Sequence, residues 1–351
     1  MSVIPVGKLP PSLLARLLAD APGGADVILG PAPGMDCAVV RAGDFLLALK
    51  SDPITFATEN LGWYLVQVNA NDLATVGAIP RWLLVTLLLP EGETTAELVT
   101  ELINEIYAGC RELNIAVVGG HTEVTYGLER PLAVGFMAGE VPAGKLVTPQ
   151  GAEPGDRLLL TKGIPLEGAA ILARDFREEL HGAFSPTELD EAAGYLFKPG
   201  IGVLRDAQVA QAGGTVHAMH DPTEGGLATA LWELAEASGR ALLVAPGDIP
   251  VLPLAARLCA FFGLDPLALI ASGALLLAVP PGENARRVCG DLGRAGVVCV
   301  DIGAVVEGEP AVWQETENRR VLLPRPARDE LARLFEREEP EAGNNRLRAQ
   351  P

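Results

Sequence analysis

Three aspartates stand where the sequence predicts that secondary-structure elements begin, end or face inward. Asp36 directly precedes a predicted strand, and Asp52 directly follows the next one. Asp72 lies on the apolar stripe of a predicted helix, so its carboxylate faces the buried side. Burying an unpaired carboxylate costs several kcal/mol, so Asp72 must find hydrogen-bond donors or a cation. The three side chains are therefore candidate ligands for a divalent metal ion, and a structural acid that caps a neighbouring loop is the alternative.

Two further segments follow predicted strands. Gly119 and Gly120 come after a short apolar strand, and such a pair lets backbone N–H groups approach an anion closely. Taken alone, a glycine pair is more often a turn, and the adjacent His121 is more often a hydrogen-bonded structural residue. Residues 220–226, His-Asp-Pro-Thr-Glu-Gly-Gly, join another strand to a helix. An ordinary helix start with Asp221 as the N-cap explains that segment well.

Alternating strand and helix patterns position these residues. In the first half, the sequence predicts a hairpin of strands at 37–41 and 45–50, a helix at 58–76, a strand at 82–89, a helix from a capping box at Thr94 to residue 113, and strands at 115–118 and 132–139. This order predicts a mixed sheet with helices covering one face. Residues 142–156 are rich in Gly and Pro and lack periodicity, so they separate the first domain, residues 1–145, from a second one.

The second half of the chain follows the same alternating pattern. Strands are predicted at 157–161, 215–219, 274–279 and 297–302, with helices at 167–176, after 202, at 224–237 and at 283–295. We expect an α/β domain over residues 152–310, followed at 311–351 by a hairpin and a partly flexible tail.

Composition limits the partners that this chain can have. It has 351 residues, with 27 Lys plus Arg, 45 Asp plus Glu and a net charge of -18. Such a charge repels nucleic acid and anionic membranes, so an anionic substrate such as a nucleotide would need a bridging cation. No apolar run approaches the roughly 20 residues that span a bilayer, and the first residues lack a signal-peptide pattern, which predicts a cytoplasmic protein. Five cysteines without a C-x-x-C pair predict mostly buried free thiols.

Five segments in a fixed order carry a family resemblance. They resemble motifs of the aminoimidazole-ribonucleotide synthetase (PurM) superfamily, and they are residues 34–38, 51–52, 71–80, 119–122 and 221–229. Members of this superfamily include selenophosphate synthetase, thiamine-monophosphate kinase (ThiL) and the hydrogenase-maturation dehydratase HypE. The likeness covers about residues 7–310, and the segments at 71–80 and 221–229 look most like HypE.

The resemblance implies a two-domain PurM-like α/β (α+β) fold. It further implies a homodimer whose amino-terminal mixed sheets form a shared barrel, and a carboxy-terminal α/β sandwich. ATP and Mg²⁺ are the implied cofactors, held beside the barrel by acidic loops, with Asp36, Asp52 and Asp72 as metal ligands. The resemblance also implies that Gly119, Gly120 and Thr122 neighbour the phosphates and that Asp221 faces the nucleotide. Further candidate cofactor-binding residues are Asn71, Lys162 and Gly225, with a turn as the alternative for Lys162. The candidate catalytic residues are Lys8, His121 and Asp221, with a solvated terminal side chain as the alternative for Lys8.

These expectations predict an ATP- and Mg²⁺-dependent enzyme that phosphorylates or activates an oxygen of a small substrate. The alternatives are a small-molecule kinase similar to ThiL and a non-catalytic nucleotide-binding partner in a complex with a maturation protein. HypE carries its substrate on a terminal cysteine, whereas the last cysteine here is Cys299, so we do not expect that carrier chemistry. His121 stands where several relatives have an acid, which leaves the number of metal ions open.

Overall fold

A computed structural model describes residue 4 and residues 9–32, 34–55, 59–316 and 319–336. In these residues two β-sheets are covered by helices. The strands of the first sheet, β1–β6, are Val27–Leu29, Ala38–Ala42, Phe45–Ile54, Ile79–Pro90, Ala116–Thr125 and Leu132–Val141. Those of the second sheet, β7–β13, are Arg157–Thr161, Ala218–His220, Ala241–Val244, Leu276–Val279, Cys299–Val306, Ala311–Thr316 and Arg319–Leu322. The α-helices, α1–α11, are Pro11–Leu18, Leu61–Thr75, Ala96–Leu113, Leu166–Asp175, Arg177–Leu180, Pro186–Ala193, Leu204–Gly213, Gly226–Ser238, Pro253–Phe262, Glu283–Arg294 and Glu330–Phe335.

The first sheet has the strand order β1-β2-β3-β6-β4-β5. Its β4 and β5 pair in parallel, and the other neighbours pair antiparallel. Side chains alternate along β4, so that Leu83, Val85 and Leu87 are buried while Trp82 and Leu84 are exposed. Helix α2 covers the buried face. The predicted mixed sheet with helices on one face is confirmed.

Helix α2 is buried on nearly all sides, because it lies between the first sheet and α3. Gly62 allows the close packing of the two helices, since a Cβ there would lie 2.7 Å from the carbonyl oxygen of Leu102. The Gly62 N–H also donates to Glu105 Oε2 at 2.9 Å. The predicted helix at 58–76 is therefore confirmed over Leu61–Thr75, and its burial explains why apolar residues dominate it.

Helix α3 begins one residue later than its predicted capping box. The N-cap is Thr95, whose hydroxyl accepts the Leu98 N–H at 3.2 Å. The hydroxyl of Thr94 donates instead to the carbonyl oxygen of Pro90 at 2.6 Å. The prediction of Thr94 as the cap was wrong because two adjacent threonines offer the same cap chemistry, and the turn after β4 decides between them.

The second sheet has the order β13-β12-β9-β11-β7-β10-β8 and is antiparallel except between β9 and β12. Helices cover both of its faces, as the alternation along β7 shows. Leu158 and Leu160 pack with Leu227 of α8, whereas Leu159 packs with Val288 of α10. This is the predicted α/β arrangement. The hairpin of β12 and β13 extends the same sheet rather than standing apart from it.

In the part of the chain that the structure describes, no helix has the length and apolarity that a membrane crossing requires. Cys37, Cys110 and Cys259 are free and buried, which confirms the prediction for three of the five cysteines. Cys289 and Cys299 form a disulfide between α10 and β11. That pairing was not predicted, because their proximity depends on how α10 packs against the sheet.

Candidate functional site

The acidic residues converge where the first sheet, α2 and the loop between β8 and α8 meet. A cleft of about 570 Å³ opens there, and Asp36, Asp52 and Asp72 are among the residues that line it. Asp36 lies shortly before β2, and Asp72 lies in the last turn of α2. Asp52 lies inside β3 rather than after it, because the pairing of β3 with β6 continues to Ile54. Asp221 lies in the loop between β8 and α8. Four separate segments of the chain thus each supply one carboxylate to this region.

Lys50 lies among these carboxylates. Its ammonium Nζ is 3.0 Å from Asp72 Oδ2 and 3.8 Å from Asp52 Oδ1. Burial alone would lower the pKa of Lys50, but Asp72, Asp52 and Asp36 outweigh burial and raise it above its usual value. Burial raises the pKa of Asp72, and the attraction of Lys50 offsets part of that rise. Lys50 therefore stays cationic and neutralises one side of the cluster.

His220 connects Asp36 to α8. Its Nδ1 is 2.7 Å from Asp36 Oδ2, and its Nε2 is 2.9 Å from Glu233 Oε2. Burial would lower the pKa of His220, but the two carboxylates raise it well above its usual value. With a carboxylate at each ring nitrogen, the imidazolium form donates both hydrogen bonds. His220 thus holds Asp36 in position from the second sheet.

Asp221 has a buried carboxylate without a hydrogen-bond partner. The residue is 1% exposed, and neither oxygen has a partner among the described residues. Helix α8 begins at Gly226, with Gly225 at the N-cap position, so the interpretation of Asp221 as an N-cap is wrong. The chain turns at Gly225, with a φ of 78°, before the helix starts. Burial, Asp72 and Asp36 raise the pKa of Asp221 well above its usual value.

The donor set of this cluster fits a divalent cation. Asp36, His220 and Asp221 each offer a ligand atom, and these atoms lie within 4.8 Å of one another. Buried carboxylates require a cation or donors, and the two unpaired oxygens of Asp221 have neither from the described residues. Carboxylate oxygens are the protein ligands that Mg²⁺ prefers. Asp36 and Asp221, with Asp52 and Asp72 beside them, are therefore suitable Mg²⁺ ligands.

A further carboxyl group lies in the wall of the cleft. Glu167 on α4 is 5% exposed, and its Oε2 has no partner among the described residues. Burial raises the pKa of Glu167 to about 7, against hydrogen bonds from Ser272 that lower it. At neutral pH this carboxyl group is thus partly protonated. Arg130 contributes the opposite charge to the same cleft.

The glycine segment at 119–122 lies away from this cleft. It belongs to β5, an edge strand whose residues are mostly exposed, and not to a loop after a strand. A Cβ at Gly120 would lie 1.9 Å from the carbonyl oxygen of Val85, so the glycine permits the close pairing of β5 with β4. His121 Nε2 contacts Glu123 Oε2 at 3.0 Å. Within one chain, the structure does not bring Gly119, Gly120, His121 and Thr122 to the aspartates.

Asn71 and Lys162 have structural partners. Asn71 Nδ2 donates to the carbonyl oxygen of Ile201 at 2.8 Å, and its Oδ1 accepts the Val203 N–H at 2.7 Å. The Lys162 ammonium lies 3.2 Å from Asp206 Oδ2 and also donates to two backbone carbonyls. These contacts connect distant segments of the fold, and the cofactor-binding role of both side chains stays a prediction.

Of the other predicted residues, Gly225 lies at the start of α8, where its N–H donates to Asp329 Oδ2 at 2.6 Å. Lys8 lies outside the described residues. The sequence analysis missed Lys50, His220 and Glu233. A signal for Lys50 was present, because residues 50 and 52 lie two apart on a strand and so share a face.

The AIR synthase related protein family matches this chain in two parts. Its N-terminal domain matches residues 34–141, and its C-terminal domain matches residues 153–313. These two matches span most of the chain, so the chain belongs to this family. The resemblance based on five motifs is confirmed, and so is the two-domain PurM-like α/β fold.

Individual relatives are hydrogenase-maturation proteins. Carbamoyl dehydratase HypE of Cupriavidus necator is 34% identical over 260 residues, which cover 67% of this chain and 69% of the relative. A putative hydrogenase expression/formation protein of Methanocaldococcus jannaschii is 29% identical over 311 residues, or 85% of this chain and 88% of the relative. The crystal structure of hydrogenase maturation protein HypE in complex with ATP has a TM-score of 0.68 at 24% identity and covers 91% of each chain.

Proposed function

We propose that this chain is an ATP- and Mg²⁺-dependent enzyme that phosphorylates or activates an oxygen of a small substrate. The observation that carries the proposal is the convergence of Asp36, Asp52, Asp72 and Asp221 from four separate segments beside one cleft. The two unpaired, buried oxygens of Asp221 support a cation at this place. Similarity to a HypE structure that holds ATP supports the nucleotide.

The charge of the site requires a cation for any nucleotide to bind. Carboxylates repel a triphosphate, whereas a divalent cation between them cancels charge on both sides and, when bound, polarises a phosphoryl oxygen. Asp36 and Asp221 would hold that cation, with Asp52 and Asp72 beside them. Lys50 adds a fixed positive charge in the cleft wall, and His220 holds Asp36 in place. Because Asp72 and Asp221 are buried, water weakens their electrostatic interactions little.

The cleft also has room for an acceptor molecule beside the phosphates. Its volume of about 570 Å³ lies within the range of small-molecule sites. Glu167 and Arg130 supply a carboxyl group and a cation to its wall, while Val68 and Ile54 supply apolar surface. Such a lining suits a small polar molecule. The predicted catalytic role of Asp221 becomes, in this proposal, that of holding the cation.

We also propose that two copies of this chain associate through β5. This strand is an edge of the first sheet, and Val117, Val118 and Val124 on it are exposed. Trp82 and Phe136 extend the exposed apolar surface over the neighbouring strands. Unpaired strand edges favour pairing with another strand. In such a dimer, the segment at 119–122 would lie at the subunit interface, and its place near the phosphates stays a prediction. The predicted maturation-protein partner stays a prediction.

Calorimetric titration with the nonhydrolysable analogue AMP-PNP tests the main proposal. We expect Mg²⁺-dependent binding by the full chain and at least tenfold weaker binding by Asp221→Asn. Glu153→Gln, an acidic residue outside the cleft, is the matched control and should bind like the wild type. Failure of the folded wild type to bind the analogue with Mg²⁺ would overturn the proposal.

Product analysis then separates the kinds of reaction. After incubation with ATP and candidate metabolites, a kinase leaves a stably phosphorylated product that mass spectrometry detects. An activating enzyme releases inorganic phosphate with a modified acceptor instead. Slow ATP hydrolysis that Asp72→Asn does not change would favour the non-catalytic alternative.

A further inference from the structure

The acidic cluster divides into two parts with different partners. Asp52 and Asp72 face the ammonium group of Lys50, at 3.8 and 3.0 Å. Asp36 and Asp221 form the other part, with the ring of His220 beside them. The carboxylates of the first part thus already have a cation, supplied by the chain itself.

The ammonium group of Lys50 already provides a positive charge beside Asp52 and Asp72. Its side chain is 20% exposed, so water screens its charge only weakly. A divalent ion that approached Asp72 would meet this positive charge at contact distance. Repulsion therefore disfavours a metal ion in this part of the cluster.

The other part has the features of a cation site. The ligand atoms of Asp36, His220 and Asp221 lie within 4.8 Å of one another, a span that suits a single ion. Asp221 is 1% exposed, and its two oxygens have no partner among the described residues. Each ring nitrogen of His220 faces a carboxylate, so His220 orients Asp36 and is not itself a ligand. Glu233 balances the charge of the imidazolium, which leaves the charges of Asp36 and Asp221 for the ion.

We propose that this chain binds one divalent cation, through Asp36 and Asp221, and that Lys50 takes the place of a second cation beside Asp52 and Asp72. This inference rests on the proposed function and deepens it. It narrows the metal ligands expected from the sequence, because Asp52 and Asp72 become partners of Lys50. A fixed lysine does not dissociate, so binding of the metal follows a single-site curve without cooperativity.

Electron paramagnetic resonance of Mn²⁺ tests the stoichiometry directly, because the metal alone is the probe and no turnover is needed. The full chain is titrated with Mn²⁺, and the free ion is measured from its signal. We expect one ion per wild-type chain and none for Asp221→Asn. Lys50→Met should bind two ions, since Asp52 and Asp72 then lack their cation, while Lys50→Arg should keep one.

Lys145→Met is the matched control, because Lys145 is exposed and donates to the carbonyl oxygen of Gln211. It should bind one ion. Circular dichroism establishes that each variant is folded, and Lys50→Gln replaces Lys50→Met if the latter unfolds.

A wild-type count other than one overturns the inference without any variant. A folded Lys50→Met or Lys50→Gln chain that still binds one ion overturns the role of Lys50. The proposed function stands after either result if the chain still binds AMP-PNP with Mg²⁺. If the chain binds one Mn²⁺ ion but no AMP-PNP, the proposed function is wrong and the metal stoichiometry is not affected.

Discussion

Replacing Glu167 by glutamine should stabilise this protein at pH 8 but not at pH 4. Burial raises the pKa of Glu167 from 4.5 to about 7, so the folded chain favours the protonated form. Glutamine has nearly the same shape and cannot ionise. It also keeps an oxygen that can accept the hydrogen bonds from Ser272.

The sign of the effect follows from the raised pKa. The protonated carboxyl group contributes its full stability below about pH 4.5, and this contribution is lost as the pH rises through about 7. A difference of roughly 2.5 pKa units corresponds to about 3 kcal/mol, at about 1.4 kcal/mol per unit. The free energy of unfolding of Glu167→Gln should therefore exceed that of the wild type by up to about 3 kcal/mol at pH 8.

Urea denaturation of both chains at pH 4, 6 and 8 measures this difference. Only the difference between the two chains is used, because other buried carboxyl groups titrate in the same range. Glu188 is a control for which the change in stability should have the opposite sign. Hydrogen bonds from Ser185 and the charge of Arg257 lower the pKa of Glu188 to about 2. Glu188→Gln should lose stability at neutral pH. Equal stability differences for Glu167→Gln at pH 4 and pH 8 would refute the reasoning.

Three other substitutions test the structure. Asn71→Ala should lower the free energy of unfolding by about 2–4 kcal/mol in denaturation measurements, because it removes two buried hydrogen bonds and leaves the Val203 N–H without a partner. Gly120→Ala should cost about 1–3 kcal/mol, since its Cβ would clash with the Val85 carbonyl, and an unchanged melting temperature would contradict the close pairing of β5 and β4. Val118→Asp should convert the proposed dimer to a monomer in light scattering after size-exclusion chromatography, whereas a wild-type monomer would count against the interface.

The local pattern of apolar and polar residues predicted many of the helices and strands. A nearly unbroken apolar run of strand length located β4. The apolar stripe that located α2 also placed Asp72 on its buried side, where the structure finds it 3% exposed. The capping box was wrong by one residue, because Thr94 and Thr95 have the same chemistry and differ only in what the preceding turn offers them. The length of β3 was underestimated, since its last residues are held by pairing with β6.

The candidate site shows the same division between local and distant information. The sequence by itself determined which segments carry the candidate site residues. Asp36, Asp72 and Asp221 belong to short motifs that can be recognised without knowing which distant segments pack against them. Tertiary structure alone decided the partners of these residues. His220 meets Asp36 across 184 residues of sequence, and the edge position of β5 depends on which strand pairs with it. Such contacts depend on how distant segments pack, and the local spacing of side chains carries no information about that.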